Sequence, residues 1–276
     1  MTSQETTLCS TRYPIMLVHG VGARDSLEQC YWRRIPDYLR QRGAVVEFGF
    51  QDSWATVEQN AAMLATRIAW VCREYGCEKV NLIAHSKGGL DARYAISALG
   101  MEGQVASLTT LSTPHHGSRT VDFFFRFRGI LKGAGVLLNR WYRRCGDAAP
   151  DFYHTLYQFT TAFASQFNRL YPLPEPVYCQ SYAATLRCGW SNIAYWLPHL
   201  FVRLFDGDND GLVSPDSARF GQFQGVLESP RRAGISHSDL VDAKGSCFTQ
   251  EKQPGRISEI CEFYRDLVAG LKEKGF

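Results

Sequence analysis

The sequence predicts an α/β protein, with a mainly parallel, doubly wound sheet covered by helices on both faces. Three observations carry that expectation. Apolar runs of strand length recur along the chain, each bounded by Gly, Pro or charged residues, and segments with helical spacing lie between them. Strands that alternate with helices must cross over between parallel neighbours, which leaves helices on both faces. The third is capacity: 276 residues, 45% hydrophobic and 21% charged, suffice for one large core, so a single domain over residues 1–276 is expected.

The strand-length runs fall at residues 13–18, 44–50, 79–84, 105–112 and 177–183. Val57, Ala61, Leu64, Ile68 and Val71 step by three and four residues, so residues 55–75 should form a helix that buries one stripe and stops at Gly76. A further strand-like run covers 200–205. The last helix shows the same rhythm in Ile257, Ile260, Tyr264, Leu267 and Leu271, with Pro254 ahead of it and Gly275 behind.

One region breaks the alternation. Residues 121–144 carry six basic residues (Arg126, Arg128, Lys132, Arg140, Arg143 and Arg144) against one acid, Asp122, among closely spaced aromatics. With Gly129, Gly133 and Gly135 as hinges, this suits a movable helical cap over 119–175 that meets an acyl chain or an anionic lipid surface. The bland alternative is a buried helical hairpin whose arginines reach solvent.

Composition excludes several classes. A net charge of +3, mixed in sign along most of the chain, does not suit nucleic acid as the main partner. No stretch of 18 uncharged apolar residues exists to span a membrane. Residues 1–10 lack the basic start and apolar run of a secretory signal, so a cytoplasmic location is expected, or a secreted one if a signal has been removed. Nine cysteines form an odd set without a C-x-x-C pair, which reads as free thiols in a reducing compartment.

The chemistry concentrates at residues 80–90, an apolar strand that breaks into Ser86 and continues as a helix. A serine on such a sharp turn is pushed out at the carboxyl end of a sheet, and the small residues Ala84 and Gly88 let the turn close; the motif is a G-x-S-x-G elbow with one substitution. A hydroxyl needs a base and an acid to orient it. Of seven histidines, His237 alone comes late on a polar loop before the final helix. His85, beside the serine, is expected to point away from it. Asp210, in Asp206-Gly207-Asp208-Asn209-Asp210-Gly211, is the expected acid, which gives the order Ser, Asp, His. The same run opens like an EF-hand loop, but its twelfth position is Ser217 rather than the Glu such a loop requires. Asp206 and Asp208 then read as turn residues or loop-stiffening acceptors. Oxyanion donors are expected at the backbone N–H of Lys87, directly after the serine, and of Val21 in the loop after the first strand.

Five ordered blocks, residues 14–20, 80–90, 111–118, 209–213 and 235–237, resemble the bacterial true lipases, the Pseudomonas- and Burkholderia-type triacylglycerol lipases of the α/β-hydrolase superfamily. The resemblance implies Ser86 as nucleophile, Asp210 as acid, His237 as base and Val21 and Lys87 as oxyanion donors, with a lid in the unmatched region. It also implies a structural calcium near the base, for which Asp239 matches one ligand. Ala243 stands where the family has a glutamine donor and 186–196 holds no partner Asp, so no cofactor is expected to be required. Lys87 replaces the family's usual glutamine, with its side chain expected in solvent. The expected activity is hydrolysis of lipid-like carboxylic esters through an acyl-enzyme. A small-ester or thioester hydrolase, and a non-catalytic membrane-surface module on a hydrolase shell, are the alternatives.

Overall fold

The computed structural model describes residues 5–22, 24, 31–187, 193–229, 233–243 and 260–276. Six strands, β1 (Ile15–Val18), β2 (Val46–Phe48), β3 (Val80–His85), β4 (Val105–Leu111), β5 (Tyr178–Ala184) and β6 (Gln222–Leu227), form one sheet in the order β2-β1-β3-β4-β5-β6. Every pairing is parallel. The first five strands stand where the apolar runs predict them. The sixth was not anticipated, because Gln222, Gln224 and Gly225 break the apolar run that marks the others.

Alternation along the strands divides the core into two layers. Ile15 and Leu17 of β1 face α1 (Ile35–Arg40) and α10 (Ile260–Glu273), in a cluster that includes Trp32, Leu39, Tyr264 and Leu271. Met16 and Val18 face the other way, onto α2 (Val57–Glu74) and α3 (Gly88–Ala98). The predicted stripe of α2 is buried at Val57, Ala61, Leu64, Ile68 and Val71. Thr56 closes its N-terminus with a capping box to Gln59, and Gly76 follows its end at φ +59°. In the final helix the described part of the stripe is buried at Ile260, Tyr264, Leu267 and Leu271, while Pro254 and Ile257 lie outside the described residues.

Between β4 and β5 the chain leaves the sheet for four helices, α4 (Arg119–Phe124), α5 (Arg128–Arg144), α6 (Phe152–Tyr157) and α7 (Thr161–Leu170). Gly129, Gly133 and Gly135 sit inside one continuous helix, α5, rather than at hinges. Gly135 gives close packing instead, since a Cβ there would lie 3.6 Å from the Phe152 ring. Residues 200–205 are not a strand. They belong to α8 (Ile193–Asp206), whose Phe205 stacks on Phe123 at 5.0 Å and whose Phe201 meets Phe124 at 5.6 Å. A six-residue apolar run has no period of its own, and here the helical partner α4 decides its form. A short helix, α9 (Pro215–Ala218), precedes β6.

Candidate active site

The chain passes from β1 to β2 on one side and then returns to β3 on the other, so the strand order reverses between β1 and β3. In an open parallel sheet that reversal leaves a crevice at the carboxyl ends of the two strands. Val18 pairs with Ala84, so His19-Gly20 and His85-Ser86 leave the sheet at the same level. Gly20 is required there: a Cβ would fall 2.8 Å from the Cβ of Ser86. Gly88 is required as well, because a Cβ would fall 2.4 Å from the His19 carbonyl oxygen.

Ser86 itself sits at φ +56°, a left-handed conformation that a serine adopts only under constraint. Its N–H donates to the Leu111 carbonyl at 2.9 Å and its carbonyl accepts from Gly89 at 3.1 Å, so the turn is fixed from both sides. Ala84, in place of the usual glycine of such a turn, is fully buried without disturbing it.

Asp210 and His237 meet. His237 Nδ1 lies 2.7 Å from Asp210 Oδ2, and the His237 backbone N–H donates to the Asp210 carbonyl at 2.8 Å. The other carboxylate oxygen, Oδ1, accepts the N–H groups of Leu212 at 3.0 Å and Val213 at 2.9 Å. Both carboxylate oxygens are therefore committed in a fully buried group. With Nδ1–H held by the carboxylate, Nε2 is left as the basic nitrogen of the neutral ring. The acid loop is anchored in turn to α8, where His199 Nδ1 lies 2.9 Å from Asn209 Oδ1.

The three acidic residues of 206–210 part company. Asp206 accepts from the Ser118 hydroxyl and the Arg119 and Thr120 N–H groups at 2.8, 2.8 and 3.1 Å, fastening the start of α4, while Asp208 is exposed. Ser217 Oγ donates to the Gly117 carbonyl. That divergence leaves no EF-hand geometry. Asp239 spends one carboxylate oxygen on the Ser236 N–H at 2.9 Å and the Ser236 hydroxyl at 2.7 Å. Among the described residues no three His, Cys, Asp or Glu side chains gather to hold a metal ion. Residues 188–192, part of the segment searched for its partner Asp, lie outside the described residues.

The surroundings of the elbow correct one expectation, that of Lys87, and bring further side chains to the site. The His85 ring lies 4.4 Å from the His237 ring, centroid to centroid, and its Nδ1 is 2.6 Å from the Tyr31 hydroxyl oxygen. Burial, and then the neighbouring His237, hold its pKa well below the usual imidazole range, so it stays neutral. The same Tyr31 oxygen accepts the Gly20 N–H at 2.8 Å. Lys87 is not in solvent. Its side chain is buried and its Nζ lies 2.5 Å from Asp91 Oδ1 one turn along α3, because the helix start is covered by α2 and the loop after β2. Tyr195 of α8 is a further neighbour, its ring 6.4 Å from His237. Tyr31 and Tyr195 lie far from the elbow in sequence and carry no motif, so only the fold brings them in. The backbone N–H groups of Val21 and Lys87 have no hydrogen-bond partner among the described residues.

Known proteins share this arrangement of strands. A triacylglycerol lipase of Pseudomonas fragi is 38% identical, with 96% of this chain and 98% of that protein covered. The chain belongs to the triacylglycerol lipase family, and with it to the α/β-hydrolases that cleave esters. Triacylglycerol lipase 2 of Saccharomyces cerevisiae is 29% identical over 91% of this chain and 76% of its own length. The family model for palmitoyl protein thioesterase matches residues 14–181. That span takes in β1, Ser86 and the insertion, and ends before Asp210 and His237. Among solved structures, the Staphylococcus hyicus lipase shares the fold with a TM-score of 0.70 at 17% identity, covering 96% of this chain and 98% of that one.

Proposed function

We propose that this lipase-family chain cleaves lipid-like carboxylic esters through an acyl-serine at Ser86. Ser86 Oγ attacks the ester carbonyl while His237 Nε2 takes its proton, and Asp210 holds the imidazole in the tautomer that leaves Nε2 free. The tetrahedral oxyanion settles on the N–H groups of Val21 and Lys87. His237 then returns its proton to the leaving alcohol, and water releases the acid by the same steps in reverse order. No step is assigned to a cofactor. The observation that supports the reading is the 2.7 Å contact between His237 and Asp210, with the His237 ring 4.4 Å from that of His85, the residue before the strained Ser86.

Fluorophosphonate labelling followed by peptide mapping tests it. The label should fall on Ser86, and Ser86→Ala should abolish turnover of a chromogenic ester with the fold intact. Labelling at another serine refutes the assignment. Thioester cleavage is a second reading, favoured by the family model matched over 14–181, and the same acyl-enzyme would serve it. Rates on an oxyester and a thioester of one acyl chain separate the two.

The insertion over 119–175 is assigned as a lid that rests on an anionic lipid surface. Ile193, Leu197, Leu200 and Leu204 fall on one stripe of α8, and Ile193 is 84% and Leu204 73% exposed. On α5, Ile130 (72%), Leu137 (73%) and Trp141 (62%) do the same. Arg126, Arg128, Lys132, Arg140, Arg143 and Arg144 have no carboxylate partner among the described residues, so charge complementarity favours anionic headgroups beside this apolar surface. No described helix is long and apolar enough to cross a membrane.

A further inference from the structure

Residues 51–54, in the loop after β2, touch three parts of the molecule at once. Toward the loop that carries Val21, Gln51 Nε2 donates to the His19 carbonyl at 3.0 Å, and the Gly22 N–H donates to the Ser53 carbonyl at 3.2 Å. Toward the helix that carries Lys87, the Asp52 N–H donates to Asn60 Oδ1 at 3.1 Å, and Asn60 Nδ2 donates to the Asp52 carbonyl at 2.9 Å and to Asp91 Oδ2 at 3.1 Å. Asp91 in turn holds the Lys87 ammonium. Toward the insertion, Asp52 Oδ2 accepts the Ala149 N–H at 2.9 Å, and Asp147 accepts the N–H groups of Ser53 and Trp54, each at 3.1 Å.

A lysine is a poor choice for this place on stability alone. Burial drives its ammonium toward the neutral form and the Asp91 carboxylate toward the protonated one. A buried ion pair is often no more stabilising than a well-packed apolar pair of the same volume. What the pair adds is direction. It fixes the side chain of Lys87 at the N-cap of α3, and Asn60 ties the partner carboxylate to the segment that also holds the Val21 loop. The two oxyanion arms leave the paired strands β1 and β3 and make no hydrogen bond to each other's N–H donors, so beyond the strand pairing their fine spacing depends on the groups that bridge them.

We propose that Lys87, through its side chain, with Asp91, Asn60 and Asp52, are positioning residues: a buried polar chain that sets the separation of the Val21 and Lys87 N–H donors and hangs the root of the insertion from the same segment. This rests on the reading of those two N–H groups as the oxyanion site. All four side chains are buried.

The deciding variant is Lys87→Met with Asp91→Leu in the full chain, which removes the pair and leaves no lone buried charge. It should melt within a few degrees of the wild type and keep KM for a soluble short-chain ester. Its kcat should fall about ten- to a hundredfold, because small misplacement at a reacting centre is costly. Affinity for phenylboronic acid, which forms a tetrahedral anion on an active serine, should fall in parallel with kcat. A folded double variant whose kcat and boronate affinity stay within twofold of wild type overturns the proposal. Should it not fold, Asn60→Ala, which cuts the chain at its middle and strands no charge, decides in the same two readouts and by the same criterion. If the fluorophosphonate does not label Ser86 in the wild type, it is the assignment of the nucleophile that has failed.

Discussion

Replacing Asp210 by Asn separates the electrostatic task of the carboxylate from its shape. Asp210 accepts on both sides, from His237 Nδ1 at 2.7 Å through Oδ2 and from the Leu212 and Val213 N–H groups through Oδ1. An asparagine amide has one acceptor oxygen and one donor NH2, so one side must lose. If the oxygen keeps the two backbone N–H groups, the NH2 faces His237 Nδ1 and forces that nitrogen to accept. The proton then moves to Nε2, the position that must be free to take the serine proton. A triad acid changed in this way lowers kcat by about 10⁴-fold in a well-studied serine protease, equivalent to roughly 5 kcal/mol at 1.36 kcal/mol per tenfold. If the amide turns over instead, the NH2 opposes two backbone donors, and stability falls by about 1–3 kcal/mol for the groups left unpaired. The assay is kcat on a soluble chromogenic ester beside a thermal melt. A folded Asp210→Asn enzyme within tenfold of wild-type kcat would refute the reasoning, because the tautomer would then not be set by this carboxylate. Asp208→Asn, in the same loop but exposed, should leave kcat unchanged.

Gly20→Ala should lower both Tm and kcat, since its Cβ would stand 2.8 Å from the Ser86 Cβ and the clash is relieved only by moving one rim of the crevice; overpacking of this kind costs about 1–3 kcal/mol, and an unchanged melt would contradict the close approach. Burial pushes the Cys179 thiol from an ordinary 9.0 up to about 12. The folded chain therefore keeps a proton that the unfolded chain gives up above pH 9, so this thiol withdraws stability as pH rises from 9 toward 12, by up to about 1.4 kcal/mol per pH unit. Urea unfolding at pH 8 and pH 10.5 should show a steeper loss in wild type than in Cys179→Ala, and equal slopes would dismiss the effect. Replacing Arg140, Arg143 and Arg144 by Gln should weaken co-sedimentation with phosphatidylglycerol vesicles, shift its salt dependence and leave hydrolysis of a soluble ester intact; unaltered vesicle binding would remove the electrostatic part of the surface assignment.

Most of the sheet was legible because parallel strands covered on both faces read as largely apolar runs with few charges, as 13–18, 79–84 and 105–112 do, even though Asn81, Ser107, Thr109 and Thr110 are buried among them. The strand at Gln222–Leu227 was hidden because the edge position tolerates glutamines and a glycine. The tight turn at Ser86 was legible from its small neighbours, and the pairing of Asp210 with His237 from their order along the chain. Val21 and Lys87 stand just past the ends of β1 and β3, as the strand-length runs place them.

What the sequence by itself determined was therefore everything encoded by local pattern: strand and helix periods, the tight serine turn, and the residue types that the chemistry demands. What only the tertiary structure decided was which side chains share space across long separations. A lysine after the serine reads as a solvated cation until α2 covers it and Asp91 receives it, and His85 reads as a bystander until Tyr31 and His237 close around its ring. The physical reason is the same in both cases. Burial and partnership are properties of the folded surroundings, and they turn a polar residue from a surface group into part of the site.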